Sequence, residues 1–131
     1  MYTFSNLIDI IAKLRSEDGC PWDREQTFES MKKYLGNETQ EIYEAVDKGD
    51  MENLCEELGD VLFQLVMYAQ MAAEIGAFTM DDVVDGAAQK MVRRHPHVFG
   101  DVKVTTAEEG LALWNAIKAQ EKAADKADKK L

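Results

Sequence analysis

The chain has 131 residues, two cysteines, a formal net charge of −10 and a pI near 4.6. That length fits one domain, and a domain of this size buries a modest share of its surface, which oligomerisation often supplements. The acidic balance excludes a basic nucleic-acid footprint, and the longest apolar stretch, Val61 to Ala73 with Gln64 and Gln70 inside it, is too short to cross a bilayer.

Phe4, Leu7, Ile8, Ile11 and Leu14 recur at helical spacing and predict a first helix over Thr3–Ser16. Asp18-Gly19-Cys20-Pro21-Trp22-Asp23 breaks it, because Gly and Pro punctuate. A second helix is expected over Thr27–Lys48, and a third over Asp50–Ile75 with Asp50 as N-cap. Leu54, Leu58, Val61, Leu62, Leu65, Tyr68 and Ala72 form its apolar stripe, and Gly76 reads as its stop. Thr79-x-x-Asp82 resembles a capping box and opens a fourth helix, Met80–Arg94. His95 to Asp101 is a loop. Thr106-x-x-Glu109 opens a fifth helix carrying Leu111, Leu113, Trp114 and Ile117. Residues 119–131 lack an apolar face and read as a frayed helical tail or the start of a linker. No alternating strand pattern or internal repeat is visible, so the fold class is all-α. With no basic start followed by an apolar run, no secretory signal is read, and a cytoplasmic chain with reduced Cys20 and Cys55 is expected.

Two acidic pairs at helical spacing, Glu38-x-x-Glu41 and Glu57-x-x-Asp60, each project from one helix face. The break at Lys48-Gly49-Asp50 between them turns the second and third helices into an antiparallel hairpin. Four carboxylates then surround one point. Carboxylates at close range repel and their pKa values rise. A divalent cation removes that repulsion, and all-oxygen ligation suits Mg²⁺, with Mn²⁺ as a substitute. The bland alternative is four solvated surface acids. Gly59 and the flanking Leu58, Val61 and Leu62 oppose it by setting Asp60 beside the apolar stripe. A di-iron centre would need Glu-x-x-His on facing helices, and both histidines fall in a loop beside Pro96. Cys20 and Cys55 show no metal-ligand spacing.

Lys90, Arg93 and Arg94 cluster at the end of the fourth helix. They either complement the helix dipole or bind phosphate. Trp114 and Lys118 sit one turn apart on the fifth helix; Trp114 packs in the core or stacks on a nucleobase, and Lys118 reaches a phosphate or solvates the face. Trp22 reads as packing that pins the first loop. His95 and His97 are a catalytic pair or, more simply, a structural loop that packs Val98 and Phe99 at a subunit interface.

The chain carries Gly19-Cys20-Pro21-Trp22-Asp23-x-x-Gln26-Thr27, Glu38-x-x-Glu41, Glu57-Leu58-Gly59-Asp60 and Arg93-Arg94-His95-Pro96-His97-Val98-Phe99-Gly100-Asp101 in that order. On these motifs it resembles the MazG nucleoside triphosphate pyrophosphohydrolases of the all-α NTP pyrophosphatase superfamily, over residues 1–118. The resemblance implies Mg²⁺-dependent hydrolysis of an NTP or dNTP between the α- and β-phosphates, giving NMP and pyrophosphate. It also implies a homodimer or homotetramer, whose mates complete a four-helix-bundle-like core. Glu38, Glu41, Glu57 and Asp60 would hold the metal, with Glu38 or Glu41 orienting water. Lys90 and Arg94 match substrate-contacting positions, and Trp114 and Lys118 are candidates for the same role. One departure stands out: the usual Glu-Glu-x-x-Glu reads Asn37-Glu38-Thr39-Gln40-Glu41. Asn37 supports a rival, a catalytically weak domain of the same fold serving dimerisation or nucleotide sensing. A structural helical interaction module is the other rival.

Overall fold

The computed structural model describes residues 1–129, which are all-helical. The helices are α1 (Phe4–Leu14), α2 (Pro21–Glu25), α3 (Phe28–Lys48), α4 (Met51–Glu74), α5 (Met80–Arg94), α6 (Pro96–Phe99) and α7 (Ala107–Lys129). They form two compact units, Met1–Val83 and Val84–Leu131.

Local chemistry sets the helix ends. The Thr3 hydroxyl accepts from the Asn6 N–H while the Asn6 side chain accepts from the Thr3 N–H, and Thr27 and Ser30 repeat this reciprocal cap at α3. Gly49 ends α3 in the left-handed region at φ 65°, and Asp50 starts α4 by accepting from the Asn53 N–H. The Asp82 carboxylate accepts from the Thr79 N–H at 2.8 Å. At α7 the Thr106 hydroxyl caps Glu109, but the Glu109 carboxylate accepts from the Thr105 N–H, one residue further back than a standard box.

Two short helices, α2 and α6, replace expected loop. Pro21 and Pro96 each occupy a first helical position, where the fixed φ favours a turn and the missing N–H costs nothing. Proline is also a breaker, so sequence alone favours loop at both segments. At the other end, alanine and lysine carry α7 without an apolar face as far as Lys129. Lys130 and Leu131, the last of the expected tail, lie outside the described residues.

In the first unit, α1, α3 and α4 pack around Ile11, Met31, Val66, Met67 and Met71, joined by half-buried Leu7, Ile8, Leu14, Leu62 and Phe63. The apolar stripe expected on α4 is buried in part: Ala72 is buried and Leu54, Val61, Leu62 and Tyr68 are half-buried, but two of its leucines are not. Leu58 is 52% exposed and Leu65 46% exposed, while Val66, Met67, Ala69, Met71 and Ala72 are buried. Leucine spacing alone cannot distinguish a face that meets α1 and α3 from one left open. Arg15 fastens the α1–α3 connection: its guanidinium grips the Glu74 carboxylate and donates to the Asp23 and Gln26 carbonyls at 2.6 and 3.1 Å. Beneath it Gly19 is required, since a Cβ would lie 2.2 Å from the Leu14 carbonyl oxygen.

Candidate metal centre and phosphate cleft

α3 and α4 pack along each other across the two-residue connection Gly49-Asp50. Helical spacing puts Glu38 and Glu41 on the α4-facing side of α3, and Glu57 and Asp60 on the α3-facing side of α4. One carboxylate oxygen from each of the four lies within 4.8 Å of the others. Glu57 is 8% exposed, Glu38 is half-buried, and Glu41 and Asp60 are open to solvent. Asn37 precedes this group on an exposed position of α3.

Crowding and burial show in the acid–base behaviour. Glu57 is pushed up to about 8, chiefly because a proton on it is shared with the Glu41 carboxylate. Burial, a hydrogen bond with Glu38, and the charges of Glu41 and Asp60 act in the same direction. Glu38 is also raised, by burial first and by the Glu41 charge second. Glu38 Oε2 and Glu57 Oε2 are buried with no hydrogen-bond partner. An all-oxygen set with orphaned anionic atoms and a retained proton fits a hard divalent cation.

In the second unit, Lys90, Arg93, Arg94, Lys118, Glu121 and Lys122 line a cleft of about 520 Å³. Three of the candidate substrate residues, Lys90, Arg94 and Lys118, therefore share one cavity. The fourth, Trp114, is half-buried: the Arg94 guanidinium lies 4.7 Å from its ring centroid, and His95 packs edge-on against it at 5.4 Å. Glu121 accepts from Arg93 and from both Nε and Nη2 of Arg94, and these bonds, Arg94's first, hold it down to about 2. Arg94 itself is buried.

The His95 and His97 rings pack at 5.4 Å, tilted by 44°, with His95 against Trp114, and Val98 and Phe99 are exposed. In the first unit, Trp22 packs edge-on against Tyr34 at 5.5 Å. Sequence reasoning missed Glu121, one turn beyond Lys118, because it looks like part of a solvated tail. It also passed over Gln64, a buried amide one turn beyond Asp60, whose only signal is a polar residue interrupting an apolar run. Cys20 and Cys55 are free thiols.

Comparison with known proteins agrees with this arrangement. The family model for the MazG nucleotide pyrophosphohydrolase domain matches residues 26–99. The nucleoside triphosphate pyrophosphohydrolase/pyrophosphatase MazG of Thermotoga maritima is 48% identical, over 96% of this chain and 48% of that protein. The nucleoside triphosphate pyrophosphohydrolase of Escherichia coli K12 is 45% identical, over 94% of this chain and 47% of that protein. A crystal structure of a MazG-related protein from Thermotoga maritima superposes with a TM-score of 0.72 at 30% identity, covering 88% of this chain and 98% of that one. The chain thus spans about half the length of these two curated relatives. The acidic α3–α4 pair falls inside the matched segment, and the chain belongs to the MazG nucleotide pyrophosphohydrolase domain family.

Proposed function

We propose that this chain is a divalent-cation-dependent nucleoside triphosphate pyrophosphohydrolase. Water adds to the α-phosphorus, the bond to the bridging oxygen of the β-phosphate breaks, and NMP and pyrophosphate leave. The observation that carries this reading is the convergence of Glu38, Glu41, Glu57 and Asp60 within 4.8 Å. Mg²⁺, or Mn²⁺ in its place, would be held by these four and would supply charge neutralisation and an acidified water. Glu41 is exposed and suited to orienting water and receiving its proton; Glu38, half-buried, supports the same role from the adjacent turn. We assign Lys90, Arg94 and Lys118 to recognition of the substrate's phosphates; because Glu121 already takes Nε and Nη2 of Arg94, a phosphate would meet the remaining guanidinium donors. Trp114 offers a flat apolar face and holds Arg94 in place. The free thiols of Cys20 and Cys55 support a cytoplasmic setting. Among the described residues, no helix is long and apolar enough to cross a membrane.

Exposed Tyr43, Val46, Leu58 and Leu65 on α3 and α4 support self-association as a homodimer or homotetramer. Asn37 favours one second reading, a weakly active domain that binds nucleotide without fast turnover: it removes one charge where the family usually has Glu.

Glu41→Gln and Asp60→Asn test the site directly. Each is expected to lower Mg²⁺-dependent hydrolysis by about a hundredfold or more while leaving helix content intact. Full activity in both variants would sink the assignment.

A further inference from the structure

We propose that Gln64 is a positioning residue of the acidic centre, its side-chain oxygen accepting a hydrogen bond from a water held by the divalent cation. The inference rests on the cation reading above and adds to it a residue that is not a ligand.

Gln64 lies four residues after Asp60 and seven after Glu57 in α4, so the three share one helix face. Met67 and Met71 continue that face into the core. Gln64 thus stands at the junction between the four carboxylates and the apolar interior. It is 6% exposed, and its Oε1 has no hydrogen-bond partner. A buried polar atom left unpaired costs about 1–3 kcal/mol, a penalty that methionine or leucine would avoid.

The other orphaned atoms explain why it is there. Among the described residues, the buried side-chain atoms without partners are Glu38 Oε2, Glu57 Oε2, Gln64 Oε1 and His97 Nδ1. The first three belong to α3 and α4, and all three are acceptors. The proton that Glu57 shares with Glu41 leaves these three oxygens without a donor, so they call for positive charge or donors from outside the chain. The two carboxylates take a cation directly. Gln64, a neutral amide one turn away, suits the next layer: Mg²⁺ keeps several of its waters, and their polarised protons are strong donors. Outer contacts of this kind orient what the metal holds, and their removal typically costs about 10–100-fold in affinity or activity.

A glutamine merely tolerated in the core makes a different forecast. Under either view Gln64→Met should stabilise the cation-free protein by removing an orphan. Only the proposed role makes the same substitution weaken cation binding. Mg²⁺ and Mn²⁺ alone are titrated calorimetrically into the wild type, Gln64→Met, Gln64→Leu and Gln64→Glu, with circular dichroism confirming the fold. Gln64→Met and Gln64→Leu should each bind Mg²⁺ about tenfold or more weakly, whereas Gln64→Glu, which keeps an acceptor, should stay within about threefold of wild type. In turnover assays kcat should fall for the apolar variants with nucleotide KM unchanged. Wild-type-like Mg²⁺ affinity in whichever apolar variants fold would overturn the role of Gln64. Failure of the wild type to bind either ion would overturn the cation reading itself.

Discussion

Single residues carry the strongest functional signal here, and Glu57 is the clearest. Its ordinary pKa of 4.5 is pushed up to about 8, so near neutrality the folded protein keeps a proton that the unfolded chain has released. The sign follows from linkage: this contribution to stability is present below pH 4.5 and is lost as pH rises through about 8. A cation occupying the centre displaces that proton. The melting temperature of the cation-free protein should therefore decline across that window, and the upward shift produced by Mg²⁺ should be larger at about pH 8.5 than at about pH 6. Equal shifts at both pH values in a thermal-shift assay would contradict it. In the lysine–arginine cleft, the proposed phosphate role predicts that Lys90→Ala raises KM or lowers kcat by about tenfold; an unchanged kcat/KM in steady-state kinetics would refute that role for Lys90. Arg15 serves stability instead. Lysine in its place cannot grip Glu74 in parallel and also reach the Asp23 and Gln26 carbonyls, so Arg15→Lys should lose about 1–3 kcal/mol in chemical denaturation.

The helices show how far sequence logic reaches. Capping residues and glycine stops locate α3, α4 and α5 to within a residue, because those signals act over one turn and need no tertiary context. The carboxylate pairs are legible for the same reason: i, i+3 spacing and one glycine break suffice to bring them together. Legibility fails where the chain's neighbours decide. Which face of α4 is buried depends on where α1 and α3 sit, so leucine spacing points Leu58 and Leu65 to the core although both are exposed. Pro21 and Pro96 open helices only because the segments after them pack as single turns. Gly49 makes the hairpin connection testable. At φ 65°, and with nothing within 4 Å of where a Cβ would stand, its demand is conformational alone, and Gly49→Ala should cost about 1–2 kcal/mol. Gly86, inside α5 with equally open surroundings, should respond with the opposite sign, Gly86→Ala gaining about 0.5–1 kcal/mol. Urea denaturation of the two variants measures both.

For the whole molecule, few large side chains are fully buried; Ile11, Met31, Met67 and Val66 are the largest. So small a core beside exposed Tyr43, Val46, Leu58 and Leu65 favours a protein that associates with copies of itself. Leu58→Glu with Leu65→Glu should shift the species seen by sedimentation velocity towards monomer; an oligomer of undiminished stability would exclude this face. The acidic total fits the proposed chemistry as well. A chain with net charge −10 repels a triphosphate unless cations intervene, and the acidic centre and the lysine–arginine cleft are where they would do so. The most direct test is to identify the products. The protein is incubated with Mg²⁺ and each of the common ribo- and deoxyribonucleoside triphosphates, and the mixtures are resolved by ³¹P NMR. Cation-dependent pyrophosphohydrolysis yields NMP and pyrophosphate in equal amounts, abolished by EDTA and by Glu41→Gln. Nucleoside diphosphate with orthophosphate, or turnover indifferent to EDTA, would contradict it.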